Sequence, residues 1–165
     1  MATVYLLRHG IAEEGGPTLT DEERQLTDEG RRKTVEAARG LKALEVAPEV
    51  ILASPLIRAW QTAELTAGVL GKIPVQEMTA LAPGAHAEEV MRQLRDYANL
   101  DSVMLVGHQP HMGELASYLL TGSSGLVPLP FKKGAVAAIE VSAIPPKLPG
   151  YLLWFAPAKL LRQAS

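Results

Sequence analysis

Short apolar runs and amphipathic stretches alternate along this chain. Val4-Tyr5-Leu6-Leu7, Val50-Ile51-Leu52-Ala53 and Val103-Met104-Leu105-Val106 are continuous and apolar. Runs of that length predict strands buried on both faces, as in a parallel sheet. The first such strand covers about 3–7. Thr27 is placed to cap a helix reaching about Glu45, with Val35, Ala38, Leu41 and Leu44 on its apolar face. Ser54-Pro55 reads as a second helix start, Ser at the N-cap and Pro at the first helical position. Its stripe is Leu56, Ala59, Trp60, Ala63, Ala67 and Leu70. A short strand is predicted over 75–78, and a helix over 88–100 with Val90, Leu94 and Tyr97 on one face. Pro110 opens a helix that buries Met112, Leu115, Ala116 and Leu119 and stops at Gly122. The segments 135–141 and 151–155 read as strands of a hairpin at a sheet edge. Residues 10–26 and 122–133 read as loops. Alternating strands and helices predict an α/β fold.

Composition narrows the class. A chain of 165 residues favours one domain, 1–165. A formal net charge of −2 argues against a broad nucleic-acid surface. With no cysteine there are no disulfides, thiol nucleophiles or thiolate metal sites. The N-terminus shows no signal-peptide pattern and no apolar run spans a bilayer, so a cytoplasmic protein without membrane contact is expected. A monomer is the expected state.

The chemistry sits where the strands end. Arg8-His9-Gly10 directly follows the first apolar run, Ser54 and Arg58 follow the second, and Gly107-His108 closes the Val103–Val106 run. Ligands of open α/β sheets bind at the carboxyl edge. Brought to one edge, these residues put two arginines and two histidines in one crevice. Helix N-termini after Ser54 and after Gln109 would aim free N–H groups at the same place. Such a crevice suits a doubly charged tetrahedral oxyanion, phosphate above all. A neutral imidazole can attack phosphorus, and nearby arginines disfavour its protonation. This chemistry calls for no metal or cofactor. The chain has neither a dense carboxylate cluster nor a GxxxxGK[ST] loop.

The pieces LLRHG (6–10), LTDEGRRKT (26–34), SPLIRAWQTA (54–63) and VGHQPHMGELA (106–116) resemble, in order and spacing, the histidine phosphatase superfamily, also called phosphoglycerate mutase-like. The length, the GHQP form and the ending LLWFAPAKLL (152–161) look most like its SixA-type branch of phosphohistidine phosphatases. The resemblance implies a three-layer αβα sandwich with a mixed, mostly parallel sheet. It also implies His9 as the phosphoryl-accepting nucleophile, with Arg8, Arg58 and His108 as catalytic, phosphate-binding partners.

Many members of that family carry an acid that protonates the leaving group, and no motif fixes one here. Glu13, His86, Glu88 and Glu89 are the candidates. An alkoxide needs that proton far more than a departing imidazole does, so the gap favours phosphohistidine in a partner protein as substrate. The short connections leave no obvious cap over the site, which also suits a side chain presented by another protein. Two rival readings stand beside it: a phosphatase of small phosphate monoesters, and an inactive phosphate-binding interaction module. Outside the quartet, Glu22-Glu23-Arg24 and Lys132-Lys133 read as solvated, and Trp60 as core. His111 reads as a helix-terminus residue. The Arg31-Arg32-Lys33 cluster has no assigned role.

Overall fold

The computed structural model describes residues Met1–Ser165. Six strands form one sheet: β1 (Ala2–Arg8), β2 (Val50–Ala53), β3 (Val75–Glu77), β4 (Ser102–Gly107), β5 (Val136–Val141) and β6 (Tyr151–Ala156). Their order is β3-β2-β4-β1-β5-β6. The first four are mutually parallel, while β5 runs antiparallel to both β1 and β6. The sheet is therefore mixed and mostly parallel. Five helices complete the fold: α1 (Asp28–Ala43), α2 (Ile57–Leu70), α3 (Ala87–Gln93), α4 (His111–Thr121) and α5 (Ala158–Gln163).

Alternation along the strands divides the core into two layers. Val4, Leu6, Leu52 and Leu105 pack on one face with Val90 of α3 and with Met112 and Leu115 of α4. Leu7, Ile51, Ala53 and Met104 pack on the other with Leu41 of α1, Ala63 of α2 and Leu161 of α5. Successive residues of a strand point to opposite faces, so a strand sandwiched between helix layers must be apolar throughout. That is why the continuous runs identify strands. No helix is long and apolar enough to cross a membrane.

Local details depart from the sequence reading. Thr27 caps α1 as expected, its hydroxyl accepting the Gly30 N–H at 2.9 Å. The buried face of α1, however, is Gly30, Thr34, Ala37, Ala38, Gly40 and Leu41, and Leu44 is 50% exposed. Small residues face inward because α5 lies close. A Cβ on Gly40 would fall 1.8 Å from the Leu161 carbonyl oxygen. Ser54 is not the N-cap of α2; Leu56 holds that position without a side-chain cap. The Ser54 hydroxyl accepts the Leu56 N–H at 3.2 Å before the helix begins. The predicted 88–100 helix is α3 followed by a tighter 3₁₀ turn over Leu94–Tyr97. The six residues of α5 are too few to show a helical period in the sequence. Gly122 ends α4 with φ 85°, the left-handed cap position that glycine fills without strain.

The connections fix where a site forms. From β1 the chain crosses over β4 to reach β2, and from β4 it crosses over β1 to reach β5. The two paths diverge between β1 and β4, which makes their carboxyl ends a topological switch point.

Candidate active site

Backbone hydrogen bonds bring the strand ends level. Arg8 pairs in register with Gly107, and the His9 N–H donates to the Gly107 carbonyl at 3.0 Å. The Ser54 N–H donates to the Val106 carbonyl at 3.0 Å. Arg8, His9, Ser54 and His108 thus emerge from three adjacent strands. After β1 the chain turns at Gly10, whose N–H donates to Thr62 Oγ1 at 3.1 Å. A Cβ at Gly10 would lie 2.6 Å from Thr34 Oγ1, so the turn passes too close to α1 for any larger residue to fit without displacing that side chain.

His9 is 4% exposed and its ring is held by its own turn. Its Nδ1–H donates to the Gly10 carbonyl at 2.7 Å, which leaves the lone pair on Nε2. Arg58, on the first turn of α2, points its Nε at that Nε2 from 3.4 Å. The His108 ring lies beside His9, with centroids 5.2 Å apart and planes tilted by 56°. The Ser54 hydroxyl accepts the Leu56 N–H and also pairs with His108 Nε2 at 2.8 Å.

Two buried nitrogens in this crevice have no partner: the Arg8 Nε donor and His108 Nδ1. Arg8 spends Nη1 on the Phe131 carbonyl at 2.9 Å, which anchors the guanidinium while leaving Nε free. Buried polar groups are rarely left unpaired, and a free guanidinium donor and a free imidazole nitrogen beside the His9 lone pair suit an anion.

The electrostatics keep both imidazoles neutral. Burial is the largest cause of the fall in the His9 pKa to about 4; Arg58, Arg8 and Arg24 lower it further, and the Gly10 bond opposes them. Burial likewise leads the fall of the His108 pKa to about 3, reinforced by His9 and Arg58. Burial, then Arg58, lowers the Arg8 pKa.

A scan of family models matches residues 4–83 to the histidine phosphatase superfamily (branch 1). The phosphohistidine phosphatase SixA of Escherichia coli is 30% identical over 141 residues, 84% of each chain. The chain belongs to the histidine phosphatase superfamily. An uncharacterized protein of Picosynechococcus sp. (strain PCC 7002) is 39% identical over 125 residues, 74% of this chain and 75% of that one. The solved structure of the protein histidine phosphatase SixA complexed with tungstate superposes with a TM-score of 0.84 at 28% identity, covering 96% of this chain and 99% of that one. These similarities place this histidine phosphatase on the SixA-type branch. By membership it is a hydrolase of the phosphatase class.

The acid candidates fall in different places. Glu13 is exposed and its carboxylate accepts the Gln25 N–H at 2.9 Å, which closes the loop over 10–26. Glu88 is exposed on the first turn of α3, and Glu89 pairs with Arg92 on the same helix. Of the four, His86 alone shares a cavity with His108. That cavity, about 220 Å³, is also lined by His111 and Glu114. His111 is 4% exposed, with both ring nitrogens unpartnered.

Sequence reasoning missed two residues of the histidine phosphatase crevice. Asp21 accepts from Arg58 twice, through its carbonyl at 2.7 Å and through Oδ2 at 3.2 Å. Arg24, read as solvated, has a side chain only 22% exposed, donates to Asp21 Oδ1 at 2.9 Å, and stands close enough to lower the His9 pKa. Their signal was weak, since an acidic loop with one arginine is usually a solvated surface. The helix termini also differ from expectation. In α4, the Met112, Gly113 and Glu114 N–H groups are taken by His108 O, Gln109 Oε1 and Pro110 O. α2 keeps its first two donors, Ile57 and Arg58, free of internal bonds.

Proposed function

We propose that this histidine phosphatase hydrolyses phosphohistidine carried by a partner protein, with phosphorylated His9 as intermediate. The observation that carries the reading is the oriented, neutral His9 Nε2 lone pair facing Arg58, with two unpartnered nitrogens, Arg8 Nε and His108 Nδ1, in the same crevice. His9 Nε2 forms a bond to phosphorus as the P–N bond to the substrate imidazole breaks. The departing imidazole keeps the bonding pair and takes a proton from water. A water molecule then attacks the phosphorus on His9, releasing inorganic phosphate and restoring the free ring. Arg8, Arg58 and His108 donate to the phosphoryl oxygens throughout, supplying the charge stabilisation that in-line displacement requires. The likeness to a SixA that binds tungstate, a tetrahedral oxyanion, supports an oxyanion in this crevice.

The state of the one carboxylate that touches the cations supports this substrate. Asp21 is held below the usual carboxylate range by its hydrogen bond to Arg24 first and by Arg58 after it. At neutral pH it has no proton to give an alkoxide, whereas imidazole departs without one from the enzyme. The cavity beside His108 favours a rival reading, in which His86 protonates a small phosphate ester's leaving group.

Turnover of a histidine-phosphorylated protein domain, measured beside serine-phosphorylated protein, aryl phosphate and a panel of sugar phosphates, separates the two. A higher kcat/KM on the histidine-phosphorylated domain is expected. Preference for a single sugar phosphate overturns the substrate. Covalent phosphate that survives acid, or that still forms in His9→Ala, overturns the mechanism.

A further inference from the structure

His111 is a buried imidazole that the proposed reaction leaves unused. It stands at the first position of α4, close to His108 in the chain because that helix starts almost as soon as β4 ends. It is 4% exposed, as are His9 and His108, and neither of its ring nitrogens has a partner. Two orphaned polar atoms on one buried ring are costly unless a ligand answers them. The ring borders the cavity of about 220 Å³ that begins at His108, walled also by residues 83–86 and by Glu114, one turn further along α4. That volume lies below the roughly 300 Å³ at which pockets begin to take drug-sized ligands, and suits a single small ring. Charge divides the two spaces at His108. The crevice is set with Arg8, Arg58 and Arg24. No Lys or Arg lines the cavity, and Glu114 is its one carboxylate. Burial holds the His111 pKa below that of a free imidazole, Glu114 opposing and His86 adding to the fall, so the ring keeps a lone pair to offer.

A space that offers acceptors and no cation, beside a crevice built for phosphate, selects a leaving group that brings a proton on nitrogen. We propose that this cavity is the leaving-group subsite and that His111 determines specificity there, its ring lone pair accepting from the N–H on the distal nitrogen of the substrate imidazole. This role rests on phosphohistidine being the substrate and deepens that proposal by one residue. The proton that the substrate ring takes from water is held on the distal nitrogen. The P–N bonding pair stays on the nitrogen that leaves phosphorus, so the product is neutral imidazole. An aryl phosphate brings no such donor, and a phosphorylated acid meets the Glu114 carboxylate. Either leaves the His111 nitrogens unanswered, which is how a buried polar site rejects a wrong substrate.

Turnover by His111→Leu tests it, measured on a histidine-phosphorylated protein domain beside an aryl phosphate. On the domain, kcat/KM falls roughly tenfold, the value of one lost hydrogen bond, while aryl phosphate turnover changes less than about twofold. His111→Gln keeps an acceptor and recovers part of the loss. The urea midpoint of His111→Leu holds or rises, because two unpaired buried nitrogens are gone. A histidine that served packing alone would behave otherwise, with the midpoint and both activities falling together. Imidazole titrated into the full chain with phosphate present moves the ring resonances of His111 and His86 in NMR. Wild-type indifference to the histidine-phosphorylated domain overturns the substrate and, with it, this subsite. A preference left intact in His111→Leu, equal losses on both substrates, or imidazole shifts that miss His111 overturn the subsite alone.

Discussion

The wall of strand ends and the loop over residues 10–26 face the same crevice and hold their charges by different means. Arg8, His9 and His108 sit on backbone already fixed by the sheet ladder, and Arg58 stands at the start of a packed helix. All but Arg8 are nearly fully buried. Asp21 and Arg24 sit on a loop whose own ties are a few backbone bonds, such as Glu13 N–H to Gln25 O at 2.8 Å, and charge pairs. The wall is placed by topology, the loop by attraction to the wall. Removing a wall residue therefore removes chemistry from a site that keeps its shape. Removing a loop residue changes how the crevice is occupied.

The largest effect is expected at His9. His9→Ala abolishes covalent phosphoryl labelling and lowers kcat by roughly three orders of magnitude or more, since no other group replaces the attacking lone pair. Single-turnover labelling reads this directly; residual labelling above a hundredth of wild type would break the assignment. Arg58→Ala comes next, with kcat/KM down by on the order of a hundredfold, because a buried charge-assisted donor is lost. Arg58→Lys restores little of it, since an ammonium cannot reach His9 and Asp21 together.

Across the crevice the expected effects shrink. Arg24→Ala raises KM by roughly three- to tenfold with a smaller change in kcat, as befits a partly screened cation. Asp21→Asn acts in the other direction. It frees Arg58 of a competing anion, so vanadate inhibits about two- to fivefold more tightly. If the loop variants matched the wall variants in kcat, the contrast between the two regions would collapse.

The smallest effect is a flat line. With folded pKa values of about 4 and about 3, the His9 and His108 ring resonances stay constant from pH 8 to about 5.5 in an NMR titration. A midpoint near 6.5 for either ring would show it far more solvated than the fold implies. Stability responds to the same groups. Below pH 6.5 the unfolded chain binds protons that the folded rings refuse, so stability falls as the pH drops from there towards 4. Each ring contributes at most about 1.4 kcal/mol per pH unit in that window. The urea midpoint should track this, and His9→Gln should lose its share of the slope.

The strands were legible because each is apolar on both faces, and such a run has few other uses in a chain of this size. The ends of β1 and β4 were legible for the same reason, since a polar residue just after a buried run must lie at the sheet's rim. Helix limits were less so. Ser54-Pro55 carries a standard start signal, yet the hydroxyl was already engaged by His108, a residue 54 positions away, and the helix begins later. The inward face of α1 was misjudged because α5 presses against Gly40, a contact invisible in local periodicity.

What the sequence determined by itself was the order of elements, the two-faced burial of the central strands and the placing of Arg8, His9, Arg58 and His108 just beyond strand ends. Local backbone chemistry sets all of these. What only the tertiary structure decided was the convergence: the Nε2 lone pair of His9 turned towards Arg58, the His108 ring paired with Ser54, and Asp21 and Arg24 drawn over the crevice. Each depends on groups far apart in the chain meeting in a medium where an unpaired polar atom is costly, and no local pattern carries that information.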